Sequence, residues 1–447
     1  MKKIFLFALA MIVFMNAYPQ KKWSLEECIN YAYENNLQIK RQELNVDYNK
    51  NNYNQSKFST LPNLNGQWNH SFSSGKTIDN SKEIPRYVNE SYWSGSMGVN
   101  SNLNVFSGLT ILNDIKQKKY KFLQSQSDLE KTKNDIAMNL TLGYLNILFA
   151  KEQVDVAKNK LEVTSLQAER TRKLMEVGNV AQGEYFAIKA QESNDKLALV
   201  NQLNVLDIAY LDMTQYLDLD SAEGFDIVIP ENLEVELLTP PQSVENIYGK
   251  ALENMPQIRS AEFELKSAEK DLAKAWGQVS PTIGINGGLY TRYSALAADP
   301  LNPTADYPYS TQMKDYFNKQ VGIGITVPLF NRLQVKNSIS NAKLGVMNSQ
   351  LVLDQAKLGL YKEIQQAHAD ARAAMEEYNS SLEAVKSNQE AFKYAQQKLE
   401  VGLMNSVDFN VTKNNLITAE SAMIQAKYKY IFRLKILDFY MGNPIVL

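Results

Sequence analysis

The chain has a single cysteine, Cys28, and only two histidines, His70 and His368. One cysteine cannot close an internal disulfide, so an exported chain of this sequence is held by packing alone. Leu25-Glu26-Glu27 lacks the small residues that precede a lipid-modified bacterial cysteine, and Cys28 reads as a buried helix residue. The histidines stand far apart with no ligand spacing around either, which leaves no metal site. There is no nucleophile elbow or zinc motif, and Gly322-Ile323-Gly324 has Val327 where a dinucleotide fingerprint needs its third glycine. No catalysis and no cofactor is expected. The formal charge of −2 gives no electrostatic case for nucleic acid. Long hydrophobic runs are also missing: after Ile4 to Phe14 no stretch reaches the roughly 18 apolar residues of a transmembrane helix. That first run follows Lys2 and Lys3, the layout of a secretory signal over residues 1–20, with cleavage after Ala17 or near Gln20.

What is present is written twice. Tyr92-Trp93-Ser94-Gly95-Ser96-Met97-Gly98-Val99 leads to Asn104-Val105-Phe106 and a helical pattern, and Val321-Gly322-Ile323-Gly324-Ile325-Thr326-Val327 leads to Pro328-Leu329-Phe330 and another. The interval from Phe106 to Phe330 equals that from Gly178 to Gly402. Ile39 to Ile258 equals Pro62 to Pro281 and is slightly shorter, so the length difference falls between the strands of a hairpin, where loops accept insertions. The organisation is therefore a first repeat over 21–218, a linker over 219–242 and a second repeat over 243–447. Ser24 with Glu27 reads as a capping box opening a helix that continues to about Phe58. Within the linker, 225–229 and 233–238 look like short strands ahead of Pro240-Pro241.

From Leu61 the period changes to two. Leu64, Gly66, Trp68, His70 and Phe72 take one face; Asn63, Asn65, Gln67, Asn69 and Ser71 take the other. After a polar stretch from Ser73 to Ser91, Trp93, Met97, Val99, Leu103 and Val105 alternate with Ser94, Ser96, Asn100, Asn102 and Asn104. Ile283, Ile285 and Leu289, then Val321, Ile323, Ile325 and Val327, repeat the alternation against Thr282, Gly284, Asn286, Gln320, Gly322, Gly324 and Thr326. Residues 61–73, 92–106, 282–291 and 320–330 contain no Asp, Glu, Lys or Arg, in a chain that is 21% charged. A soluble sheet would place charge on its solvent face. An apolar outside with a neutral polar inside is the pattern of a transmembrane β-barrel, and Trp68, Phe72, Trp93, Phe106, Tyr290 and Phe317 near strand ends suit its interfacial girdles.

Four strands cannot close a barrel, and an open edge in lipid leaves backbone groups unsatisfied. The barrel must be shared between chains. Two would give an eight-stranded barrel filled by side chains, and three a twelve-stranded barrel with a lumen; small polar inward residues favour the trimer. From Gly108 to Glu176 a helical pattern without proline extends for roughly 70 residues, or about 105 Å. The helices near 24–57 and 183–218, end to end, match it as an antiparallel partner.

The tandem unit, the strand pairs and the turns Glu176-Val177-Gly178-Asn179 and Glu400-Val401-Gly402-Leu403, each with an acidic residue six beyond its glycine, resemble the TolC-like outer-membrane efflux family. The likeness covers essentially the whole mature chain. It implies a mixed α and β fold: a trimeric duct whose twelve-stranded barrel, four strands per chain, lies in outer-membrane lipid and continues into a periplasmic helical barrel. It further implies that Val177, Gly178, Asn179, Val401, Gly402 and Leu403 form a tip meeting a periplasmic adaptor (membrane fusion) protein bound to an inner-membrane transporter. Family carboxylates that narrow the closed tip map to Glu184 and Asp408, although a further family acid falls on Val411. Either residue also suits the first turn of its helix through the dipole.

The leading expectation is a passive exit duct of a tripartite efflux or type I secretion system, lined in the barrel by Asn63, Asn65, Gln67, Asn69, Ser96, Asn100, Asn102 and Asn104. Such a lining passes solutes without holding them, so small toxic compounds, metal ions and unfolded protein all stay open as cargo. A structural periplasm-spanning coiled coil anchored in the outer membrane is the alternative, and it predicts a sustained a/d seam and a filled barrel. A membrane lipid hydrolase is a distant third.

Overall fold

The computed structural model describes residues 22–79, 86–230, 242–302, 305 and 307–444. The signal segment, the linker strand expected over 233–238 and Pro240-Pro241 lie outside these residues.

Each repeat supplies four helices of matched length. In the first, α1 (Leu25–Asn35) has 11 residues, α2 (Leu37–Phe58) 22, α3 (Thr110–Glu176) 67 and α4 (Gln182–Tyr216) 35. In the second, α5 (Val244–Asn254), α6 (Pro256–Gly277), α8 (Gln334–Glu400) and α9 (Ser406–Tyr440) have the same 11, 22, 67 and 35. At 1.5 Å per residue the longest pair reach about 100 Å each. The one helix expected over 24–57 is divided at Asn36, whose backbone is extended and whose carboxamide oxygen accepts from the amides of Gln38 and Ile39. An asparagine in that role stops one helix and caps the next.

The chain forms two compact units, one of residues up to Asn45 with Gln126–Ser260 and those from Asp354, the other of Val46–Ser125 and Ala261–Leu353. The units cut across the repeats, because α2, α3, α6 and α8 each contribute residues to both.

In the first unit, the capping box forms as expected, with Ser24 Oγ accepting from Glu27 N and Glu27 Oε2 from Ser24 N. Cys28, Ala32, Ile39, Leu140, Ile147, Leu148, Met213, Leu217 and Ile227 are buried together; a fully buried aliphatic side chain of this size contributes about 1.5–3 kcal/mol. Strand β1 (Lys22–Trp23) pairs in parallel with β4 (Asp226–Ile227), the part of the linker pattern that forms. Asp226 fastens it: its carboxylate accepts from Lys151 Nζ and Tyr210 OH, both at 2.6 Å, and from Ile227 N. Burial alone would raise its pKa, but these donors hold it at about 2. Helix α4 ends where α2 begins, with Asn36 Nδ2 donating to Tyr216 O and Leu37 N to Asp218 Oδ2. That is the end-to-end column expected from the helix lengths.

In the second unit, α3 and α6 are joined by Lys274–Asp114 at 2.6 Å and Gln117–Asp271 at 2.9 Å. At the strand-to-helix junction the backbones of Gly108 and Gly277 nearly touch: a Cβ on Gly108 would lie 2.1 Å from Gly277 O, and one on Gly277 2.4 Å from Gly108 O. Both repeats turn into their long helix through two successive left-handed residues, Gly108-Leu109 and Arg332-Leu333. For the non-glycine residues this conformation costs roughly 1–2 kcal/mol each.

Strands β2 (Asn65–Asp79), β3 (Arg86–Ser107), β5 (Thr282–Ser294) and β6 (Asn318–Thr326) form one antiparallel sheet in the order β2-β3-β5-β6. The first hairpin is longer than its alternation suggests, since β2 and β3 run through most of the polar stretch 73–91. Backbone pairing needs no apolar face, and Ser74 and Ser91 bond across it at 2.6 Å. Between β5 and β6 a short helix α7 (Tyr309–Asp315) forms.

Candidate functional site

Directly paired residues of an antiparallel sheet share a face. Asn65–Asn100, Gln67–Gly98 and Asn69–Ser96 are pairs, as are Asn102–Asn286 and Asn104–Gly284, followed by Gly284–Gly324 and Asn286–Gly322. Asn63 lies just ahead of β2 and exchanges bonds with Asn102, its N donating to Asn102 O and its Oδ1 accepting from Asn102 N at 2.7 Å. All eight residues expected to line a polar surface are thus on one face, extended by glycines of β5 and β6. The other face carries Trp68–Met97, Phe72–Trp93, Val99–Leu289, Leu103–Ile285, Ile285–Ile323 and Ile283–Ile325. It is open in the single chain, with Trp68 and Ile323 each 72% exposed. His70 belongs to this face and stacks on Trp93, ring centroids 4.9 Å apart.

The alternation is interrupted once. The register shifts between Asn104 and Phe106, so Val105 is a bulged residue and Phe106, paired with Ile283, takes the place on the apolar face that simple alternation gives to Val105. The sheet has two outer edges, β2 and β6. Where β5 runs past the end of β6, α7 covers it: Ser294 N donates to Gln312 Oε1 and Gln312 Nε2 to Ser294 O. One side-chain amide there replaces the missing strand's donor and acceptor. Among the described residues no helix is long and apolar enough to cross a membrane.

The turns at the far ends of the long helices are alike. Gly178 (φ 80°) and Gly402 (φ 74°) are left-handed. Gly178 N bonds Met175 O and Asn179 N bonds Leu174 O; Gly402 N bonds Leu399 O and Leu403 N bonds Lys398 O. This is a Schellman closure, for which glycine is the natural residue. Val177, Val401 and Leu403 are exposed around the turns. Glu184 and Asp408 both lie in the first turn of the following helix. Asp408 N donates to Asn405 Oδ1, and its Oδ2 accepts from Asn405 Nδ2, both at 2.9 Å, so this acid also serves as part of a helix cap. Val411 is exposed and apolar where the second family acid falls.

Sequence reasoning missed a buried polar cluster nearby. Lys413 Nζ donates to Thr164 Oγ1 at 2.6 Å and to Lys160 O at 3.2 Å. Thr164 Oγ1 donates to Asp195, which also pairs with Lys160 at 3.2 Å and accepts from Gln191. The cluster joins α3, α4 and α9. The available signal was Lys413 between Phe409 and Leu416, and Asp195 seven beyond Ile188, both on buried helix stripes.

Comparison with known proteins completes the picture. A family model described as outer membrane efflux protein matches residues 28–218 and again 247–443. The outer membrane efflux protein BepC of Brucella suis is 19% identical over 404 residues, 89% of this chain and 80% of that protein. The outer membrane protein TolC of Vibrio cholerae is 20% identical over 416 residues, 91% and 88% of the two chains. Among solved structures, CusC aligns with a TM-score of 0.79 at 15% identity, covering 96% of each chain. The outer membrane protein VceC of Vibrio cholerae gives 0.76 at 12% identity, covering 94% of this chain and 96% of its own.

Proposed function

The chain belongs to the outer membrane efflux protein family, and from that premise we propose that it is the trimeric exit duct through which an inner-membrane transporter, coupled by a periplasmic adaptor, delivers solutes to the cell exterior. The observation that carries this reading is the four-stranded sheet with two outer edges and one exposed apolar face, without a charged residue over 65–73, 92–106, 282–291 and 320–326. An apolar face of that kind is satisfied by lipid, and edges in lipid must be paired. Joining β6 of one protomer to β2 of the next closes twelve strands around a lumen. The lining is then the amide and glycine face that includes Asn63, Asn65, Gln67, Asn69, Ser96, Asn100, Asn102 and Asn104.

The exposed turns at Val177-Gly178-Asn179 and Val401-Gly402-Leu403 are the surface offered to the adaptor. Glu184 and Asp408, three of each in the trimer, are the groups that narrow the resting tip. Like charges brought together across a narrow opening repel one another and hold hydrated cations, which leaves such a ring easily biased by a partner. The duct conducts passively, and recognition of an individual cargo molecule belongs to the transporter. A structural tether is disfavoured by a polar face of glycine and small amides, which cannot fill a barrel.

The test is single-channel conductance of the purified protein in a planar bilayer, with the oligomeric mass measured in the same detergent. A trimer with a small resting conductance is expected. A trimer that carries no current even after removal of the tip turns refutes the duct.

A further inference from the structure

The polar face of the sheet carries an isolated cation that the duct does not use. Arg292 pairs with Ser96, and Ser96 with Asn69. It therefore stands on the face of Asn286, Asn100 and Gln67, at the end of β5 away from the helices. Below the Ser73–Tyr92 pair it is the only Asp, Glu, Lys or Arg on that face among the described residues; Glu90 and the Asp79–Arg86 pair come in only above it. A charge at this place contrasts with the neutral side chains on every polar-face row beneath.

The surroundings of Arg292 hold the cation without cancelling it. Its guanidinium lies 4.9 Å from the ring centroid of Tyr316, the residue that closes α7, whose N–H donates to Gln312 O. Gln312 is the side chain that fixes α7 to the β5 edge, so the aromatic support is tied to the sheet. No ion pair joins Arg292 to a carboxylate among the described residues. A cation–π contact leaves the full charge in place and the planar fork available for bidentate contact with an oxyanion. The segment Leu296–Pro300 folds over the same polar face and encloses, with Arg292, Ser94 and Ser96, a cleft of about 650 Å³. Asp299 is the one acid lining it, and its Oδ1 is taken by Leu301 N and Asn302 N in its own turn.

We propose that Arg292, once in each protomer, forms a cationic ring at the outer end of the pore that makes the exit selective for anions, including solutes bearing carboxylate or phosphate groups. The assignment rests on the trimeric duct proposed above. Rings of arginine select anions where a passage is narrow, and the infolded 296–300 segment supplies the narrowing. At about 0.1 M salt a charge is felt over about 10 Å, so the ring governs the mouth and leaves the neutral barrel below it indifferent.

The experiment is the reversal potential of the trimer in a planar bilayer under a potassium chloride gradient, in a Glu184→Gln/Asp408→Asn background so that the tip does not set the selectivity. The parent should prefer chloride. Arg292→Gln should lose that preference and Arg292→Lys keep it. Ser96→Glu, which sets a carboxylate on the cross-strand neighbour without touching Arg292, should abolish it as well, and Asp299→Asn should strengthen it. A parent that prefers potassium, or a chloride preference unchanged by both Arg292→Gln and Ser96→Glu in heat-resistant trimers, overturns the ring. A parent that carries no current, with or without residues 401–408, overturns the duct reading and the ring together.

Discussion

Replacing Lys413 with methionine offers a quantitative test of the buried cluster. The lysine is only 4% exposed. Burial lowers its pKa; Asp195 opposes the shift and Lys160 adds to it, leaving the ammonium at about 8 instead of 10.5. The sign follows from proton counting. Between those two values the unfolded chain binds more protons than the folded one, so stability climbs with pH; below pH 8 the fold carries the whole penalty of a buried cation. That penalty is about 3 kcal/mol at neutral pH, and about 2 kcal/mol of it should be relieved between pH 7 and pH 9.5. Lys413→Met removes the cation together with its two hydrogen bonds, which contribute about 1 kcal/mol each. Asp195 keeps Lys160, Gln191 and Thr164. The variant should therefore be about 1 kcal/mol more stable than wild type at pH 7 and lose the advantage by pH 9.5. Urea unfolding followed by far-ultraviolet circular dichroism at the two pH values measures this directly. Tyrosines whose pKa is raised by burial, such as Tyr33 and Tyr430, behave alike in both proteins and cancel in the difference. Parallel pH dependence in wild type and variant would refute the reasoning.

Ile323→Asp on the apolar face should weaken the heat-resistant trimer, with a basic residue there costing about 2–4 kcal/mol near the bilayer midplane and an acidic one less; a trimer of unchanged heat resistance on gels means the faces are reversed. Deleting residues 401–408 should abolish export while the trimer persists by mass, and normal export would remove the tip from the adaptor contact. Glu184→Gln combined with Asp408→Asn should raise the resting conductance, whereas an unchanged value leaves these acids with their helix-end role alone.

The repeat was visible from the sequence because Gly178 and Gly402 perform the same backbone task, and so stand at the same interval as Phe106 and Phe330. The sheet faces were visible because alternation and the absence of charge run through β2 from Asn65 to Ser73 and through β3 from Tyr92 to Phe106. Three features were not. The division at Asn36 lies in a stretch whose apolar spacing reads straight through, and only the carboxamide's local hydrogen bonds reveal it. The bulge at Val105 replaces one apolar residue with another, Phe106, so the pattern looks continuous. The pairing of Lys413 with Thr164 and Lys160 joins helices distant in sequence, and Asp195 meets them only across the turn between α3 and α4. Of the site, the polar face and turn geometry were legible; the charge at Arg292 was hidden behind a β5 pattern that ends one residue before it.

The near-contact of Gly108 with Gly277 also restricts how the duct can be assembled. Gly277 is the last residue of the 22-residue helix α6, and its counterpart at the end of α2 is Phe58. A phenylalanine cannot enter a space where a single methyl-sized atom already meets a carbonyl oxygen at 2.4 Å. Six copies of the first repeat alone would have to make that substitution at every junction, and could not close. The two halves have become complementary parts, and covalent linkage in one chain enforces their strict alternation around the ring.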